Sequence, residues 1–206
     1  MTEHPPADAR NWGGRLPRNE TLDLDDDQRA AVEALHERQV PWAERSGFVA
    51  TDSDGGLLGP FNAFALRPAQ GRAFQRWVGT DQRHSTLPEP VREVVILTVG
   101  AAWQADYELY AHAAAARTAG LSEEAVAALR AGSGTADLGS AERVAHRFAD
   151  ELARTHRVTG DTYAAADAAF GRDGVLDLVH LVGQYLAVSA LLNAFEIPAP
   201  GDAPPA

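Results

Sequence analysis

The chain has 206 residues, 45% of them hydrophobic, and a formal net charge of −11. That length suits one domain with a sizeable core, and the negative charge argues against a nucleic-acid backbone or an anionic membrane as partner, since both reward positive charge. There are no cysteines, which excludes disulfides, thiolate nucleophiles and cysteine metal ligands together.

Residues 1–21 are rich in Pro, Gly, Arg and Asn without periodicity. They are expected to form an arm, poorly ordered or ordered on a neighbouring subunit. They lack the apolar core of a signal peptide, so a cytoplasmic location is expected. The body of the protein is expected over 22–198, with 199–206 a flexible Pro-rich tail. Asp23, Asp25, Asp26 and Asp27 favour a helix start, and Ala30, Val32, Leu35 and Val40 supply its apolar stripe, predicting a helix within 22–40. Residues 51–60 are dense in turn formers and predict a loop. A short apolar piece at 61–66 precedes a helix opened by Pro68. Ser122 caps a short helix with two acidic residues in its first turn. An amphipathic helix is predicted over 140–156, a short one over 159–170, a break at 171–174, and the most apolar helix over 175–195. Its length would nearly span a bilayer, but Asp177, His180, Gln184 and Asn193 mark it as a core helix. Nowhere does period-two alternation with β-branched enrichment persist, so the fold class is all-α, with roughly seven to nine helices.

Residues 91–121 concentrate the chemistry. Val91, Val94, Val95, Thr98, Val99 and Ala102 recur at three- and four-residue spacing, and Pro90 suits the first helical position. A tight break near 104–106 follows, with Asp106 the expected N-cap of a second helix that Gly120 ends. Glu93 lies in the first helix. Glu108 and His112 lie four apart in the second, on one face and within reach of each other.

This stretch resembles the carboxymuconolactone decarboxylase family, whose fold is shared with alkylhydroperoxidase D. The resemblance rests on Arg92-Glu93, on Tyr107-Glu108-Leu109-Tyr110-Ala111-His112 and on Ala119-Gly120-Leu121-Ser122. Two flanking pieces are similar as well: Gly59-Pro60-Phe61-Asn62 with Leu66-Arg67-Pro68, and Leu181-Val182-Gly183-Gln184-Tyr185 with Leu191-Leu192-Asn193-Ala194-Phe195. The peroxidase branch of that family uses a glutamate, two cysteines three apart and a histidine. Here Glu93 and His112 match the ends of the pattern, while the cysteine positions fall on Ala105 and Glu108. Thiol–disulfide peroxidase chemistry is therefore unavailable. The resemblance implies the cysteine-free branch, which includes the decarboxylase proper, a lyase that works without a cofactor. It also implies a compact helical homo-oligomer, a trimer or hexamer.

A cofactor-free decarboxylation leaves an electron pair that must spread into an adjacent carbonyl, and a proton must then reach carbon. His112 is the expected acid, since imidazole titrates near neutral pH. Glu108 is expected to orient it, and Glu93 to be a second proton carrier. Trp103 and Tyr107 are candidate walls of a pocket for a small flat substrate, and equally candidates for packing. Asn62, His180 and Gln184 are candidate pocket residues that read as well as a satisfied structural network or a subunit contact. Glu and His four apart supply two metal ligands, but no third is identifiable and no paired metal motif exists, so no metal is expected. No Gly-rich phosphate loop follows a strand, so no cofactor is expected either. Two readings follow: an acid/base lyase or isomerase acting on a small unsaturated, carboxylated or lactone-like molecule, or a non-catalytic small-molecule-binding or scaffolding oligomer on the same fold.

Overall fold

The computed structural model describes residues 13–134 and 137–200. Among these, a 3-10 turn at Asn19–Thr21 precedes eight α-helices: α1 (Asp26–Arg45), α2 (Pro60–Leu66), α3 (Pro68–His84), α4 (Glu89–Trp103), α5 (Asp106–Thr118), α6 (Glu123–Arg130), α7 (Ser140–Thr155) and α8 (Gly160–Ala194). No strand forms among the described residues; the 51–60 loop holds one isolated antiparallel bridge, between Thr51 and Leu57. The all-α expectation holds.

α4 is the axis of the fold. Every residue from Glu93 to Gly100 is buried, because α5, α6, α7 and α8 all pack around it. Val91, Val95 and Val99 meet Phe148 of α7 and Leu178, Leu181 and Val182 of α8. Val94 and Leu97 face Ala113 and Ala116 of α5 and Val126 and Leu129 of α6. A helix apolar on every side is stable only when enclosed in this way. A further cluster, with Leu35, Phe48, Leu57, Phe61, Tyr107 and Leu192, joins α1, α2 and the 46–59 segment to α5 and α8.

The connections refine the sequence reading. α1 does not stop at Val40 but runs through Pro41 to Arg45. Proline inside a helix removes a hydrogen bond and costs about 3 kcal/mol. Burial of Ala43 and the edge-on contact of Trp42 with Phe48, 5.2 Å between ring centres, offset that cost. The N-cap of α5 is Ala105 rather than Asp106. Gln104 takes a left-handed conformation and the Ala105 N–H returns to the Gly100 carbonyl, so the chain has already turned when Asp106 arrives. Pro88 is the N-cap of α4, which begins at Glu89, so Pro90 falls at its second position. The two expected C-terminal helices both form within α8, and the expected break between them falls at Gly171, whose φ of 68° and ψ of 174° are non-helical. α8 is long and apolar enough to cross a membrane, yet half of its most apolar window is buried within the fold.

The expected arm differs too. Residues 1–12 lie outside the described residues, but 13–21 pack on their own chain. Asn19 is buried; its backbone N–H donates to Asn62 Oδ1 and its side-chain Oδ1 accepts from the Leu57 N–H. Of the expected tail, residues 201–206 lie outside the described residues, while Ala199 is buried.

Gly59 places α2 against α5. Its φ is 60°, and a Cβ there would sit 2.2 Å from Tyr107 Cζ, in a ring that is itself buried. Gly59→Ala is expected to lower unfolding free energy by roughly 2–4 kcal/mol, measured by urea denaturation.

Candidate active site

The α4–α5 hairpin brings the acidic and imidazole groups together. Gly100 lets α5 approach closely: a Cβ there would lie 3.4 Å from Glu108 Cβ. Glu93, on α4, and Glu108 and His112, on α5, are all buried. His112 Nδ1 lies 2.9 Å from Glu93 Oε2 in a hydrogen bond. A carboxylate can only accept, so Nδ1 carries the hydrogen in this bond. His112 Nε2 is 3.4 Å from Glu108 Oε2, which is otherwise buried without a hydrogen-bond partner. Both carboxylates thus reach the imidazole, one at each ring nitrogen. Glu93 holds the imidazole from behind, and Glu108 stands beside its free nitrogen.

Arg92, next to Glu93, does not neutralise this cluster. Its Nη2 pairs with Asp81 Oδ2 of α3 at 2.9 Å. The phenol ring of Tyr185, from α8, meets the His112 ring edge-on with centres 5.0 Å apart and planes at 90°. Its hydroxyl has no hydrogen-bond partner among the described residues.

Electrostatics follow from burial and proximity. Burial raises the Glu108 carboxyl to about 7; the His112 charge pulls it down and the Glu93 charge pushes it up. For His112, burial disfavours the imidazolium, but the charge and hydrogen bond of Glu93, together with Glu108, overcome this, and the net shift is upward. Burial, then the Glu108 and Glu93 charges, hold the Tyr185 phenol well above its ordinary value, so it stays a hydrogen-bond donor.

Glu108 and His112 open onto a cavity of about 260 Å³. Its wall is aromatic, with Trp42, Phe48, Phe61, Phe64, Phe74 and Tyr107 beside Tyr185. Such a cavity lies just below the size range of drug-sized ligands, so it suits a small molecule with a flat face.

Of the remaining candidate residues, only Tyr107 lines this cavity, with its hydroxyl donating to the Val49 carbonyl at 3.1 Å. Trp103 ends α4, about 15 Å along the helix from Glu93 at 1.5 Å per residue; its carbonyl accepts from Asn193 Nδ2. Asn62 is buried and donates to the Pro17 carbonyl while accepting from the Asn19 N–H, so both ends of its amide hold the 13–21 segment. His180 is exposed against Trp77. Five residues from Tyr185, it points roughly 140° away around α8. Gln184 is fully buried, its amide atoms without hydrogen-bond partners, and it does not reach the cavity. Sequence reasoning missed a role for Tyr185. The available signal was the one phenol in the apolar run from Val175 to Phe195.

Solved structures share this architecture at low identity. An alkylhydroperoxidase AhpD core protein, an uncharacterised peroxidase-related protein of Ralstonia eutropha JMP134, superposes with a TM-score of 0.69 at 20% identity, covering 92% of this chain and 93% of that one. A peroxidase-related protein of Silicibacter sp. TM1040 gives 0.70 at 18% identity, with 93% and 94% covered. The debrominase Bmp8, as a Cys-to-Ala variant in complex with 2,3,4-tribromopyrrole, gives 0.64 at 13%, with 93% and 92% covered. No curated protein matches the chain. The fold is therefore of the alkylhydroperoxidase D type. Within it, residues 68–151, from the start of α3 into α7, match the carboxymuconolactone decarboxylase family, and the chain carries that resemblance without any cysteine.

The Glu108 shift has a stability consequence. Its folded pKa of about 7 lies above the ordinary 4.5, so the folded state holds this proton while the unfolded chain releases it. The stabilisation is complete below 4.5 and is lost as pH rises through 7. Glu108→Gln, neutral throughout, is expected to gain roughly 2–3 kcal/mol on the wild type between pH 5 and pH 8. Urea denaturation at the two pH values measures it; a difference independent of pH would contradict the assignment.

Proposed function

We propose that this chain is a cofactor-independent acid/base enzyme, a lyase of the decarboxylating kind. Its substrate is a small unsaturated molecule that is carboxylated or lactone-like. The observation that carries this reading is the buried Glu93–His112–Glu108 array, two of whose members open onto an aromatic cavity. In a purely scaffolding protein these groups would be exposed or spent in surface ion pairs. The chain also contains neither cysteine nor lysine, so covalent thiol and Schiff-base routes are closed to it. The buried array suits proton transfer and electrostatic stabilisation. The debrominase neighbour holds a small flat ring, a ligand shape in keeping with this cavity.

In the proposed step, the bond between carbon and the departing carboxylate breaks and CO2 leaves. The electron pair moves into the adjacent conjugated carbonyl, giving an enolate. Tyr185 O–H donates to the enolate oxygen, as fixed donors do at developing oxyanions. The imidazolium of His112 delivers its Nε2 proton to carbon, while Glu93 keeps hold of Nδ1 and stabilises the cation. Glu108, which exchanges its proton near neutrality, returns one to Nε2. Glu93 is thus the positioning residue and Glu108 the proton carrier. We further propose a cytoplasmic homo-oligomer. Leu176, Val179 and Trp77 are exposed, and Trp77 lies beside Gly183 of α8, so one side of the α3–α8 pair offers apolar surface for a second copy.

The test is CO2 release and solvent-deuterium incorporation at carbon, over a panel of small unsaturated carboxylic acids and carboxylated butenolides. His112→Ala is expected to lower kcat/KM by about 10²–10⁴. Tyr185→Phe should lower kcat by about 10² with KM little changed. Wild-type turnover by His112→Ala would refute the assignment.

A further inference from the structure

Charge is distributed unevenly along the cavity. Its buried end carries the acidic array, with Glu108 on the wall and Glu93 just behind His112. At its exposed end lies Arg38 of α1, the sole arginine lining it. Arg38 makes no hydrogen bond or ion pair with the described residues, so all five guanidinium donors remain available. Three amides flank it on the wall: Gln39, next in α1, and Gln75 and Gln82, two turns apart on one face of α3. None of the three is hydrogen-bonded to the rest of the chain.

A ligand carboxylate entering this space meets the unpaired, exposed Arg38 guanidinium at the mouth. The planar guanidinium matches a carboxylate in two parallel hydrogen bonds. The aromatic walls between the two ends suit a flat ring and offer its carboxylate no donors. We propose that Arg38, with Gln39, Gln75 and Gln82, forms an anion subsite. It would hold, at the cavity mouth, a ring carboxylate that the reaction retains, and so aim the opposite edge of the ring, which bears the departing carboxylate, at His112. This rests on the cavity being the substrate site; it adds the determinant of charge selectivity and of orientation. An arginine at this place favours anionic rings over neutral ones of equal size.

Benzoate and benzamide are matched probes, equal in shape and differing in charge. Their affinities for the full chain are measured by isothermal titration calorimetry at low salt. Benzoate is expected to bind about ten-fold more tightly than benzamide. Arg38→Gln should erase that preference by weakening benzoate, leave benzamide within about two-fold, and keep the urea midpoint, since Arg38 packs against nothing it would orphan. Arg38→Lys should retain part of the preference, having charge without the fork. Absence of benzoate binding, equal binding of the two probes, or equal weakening of both by Arg38→Gln would overturn the subsite. The two proposals fail separately. Arg38-dependent benzoate binding in a protein whose deuterium incorporation survives His112→Ala would keep the subsite and remove the acid/base mechanism.

Discussion

Everything in this site depends on one hydrogen bond, between Glu93 of α4 and His112 of α5. Both residues lie where an isolated charge would be severely penalised. Together the carboxylate and the imidazolium compensate each other, and Glu108 adds a second negative neighbour on the far side of the ring. The shift of His112 is upward in spite of its burial, so the pair decides the protonation state and solvent does not. The pairing is possible because α4 is enclosed by helices and α5 folds back on it directly, with Gly100 allowing the close approach.

The site also explains how a chain without thiols can use this scaffold. Where the family resemblance would place the peroxidase cysteines, this chain carries Ala105 and Glu108. Ala105 is fully buried and caps α5 with its backbone, so it contributes shape alone. Glu108 contributes a carboxyl that exchanges its proton near neutral pH. The hairpin holds this carboxyl beside an imidazole. A shared backbone does not by itself fix the chemistry, since function resides in sites carried on folds.

Much of this was legible before any coordinates. Helical periodicity and capping signals located α4 to α7 within a few residues. The Glu108–His112 spacing announced a shared face, because side chains four apart meet on any helix. What was illegible had specific causes. Pro41 looks like a stop because local propensity argues so; tertiary burial of Ala43 overrides it. The respective positions of Glu93 and Glu108 around the imidazole depend on how far α5 rolls against α4, which no spacing within one helix encodes. The aromatic wall escaped for a similar reason. Trp42, Phe61 and Phe74 come from α1, α2 and α3, and each one alone looks like ordinary core.

Asn62 makes the same point from the opposite direction. A buried amide in a short apolar helix suggests a ligand, yet Asn62 has both ends occupied by the backbone of residues 17 and 19. Buried polar groups must find partners, and a segment running over the surface of the fold supplies them as readily as a substrate does. Tyr185 and Arg38 are the contrasting cases: polar groups on a cavity wall that the protein itself leaves unpaired. Chemical type alone does not separate Asn62 from Tyr185, whereas hydrogen-bond accounting does. By that criterion the cavity has open polar groups at both ends among the described residues: the Tyr185 phenol and Glu108 at its buried end, and Arg38 with Gln39, Gln75 and Gln82 at its mouth. A ligand that satisfies both ends must be long enough to reach from one to the other and flat enough to pass between the rings.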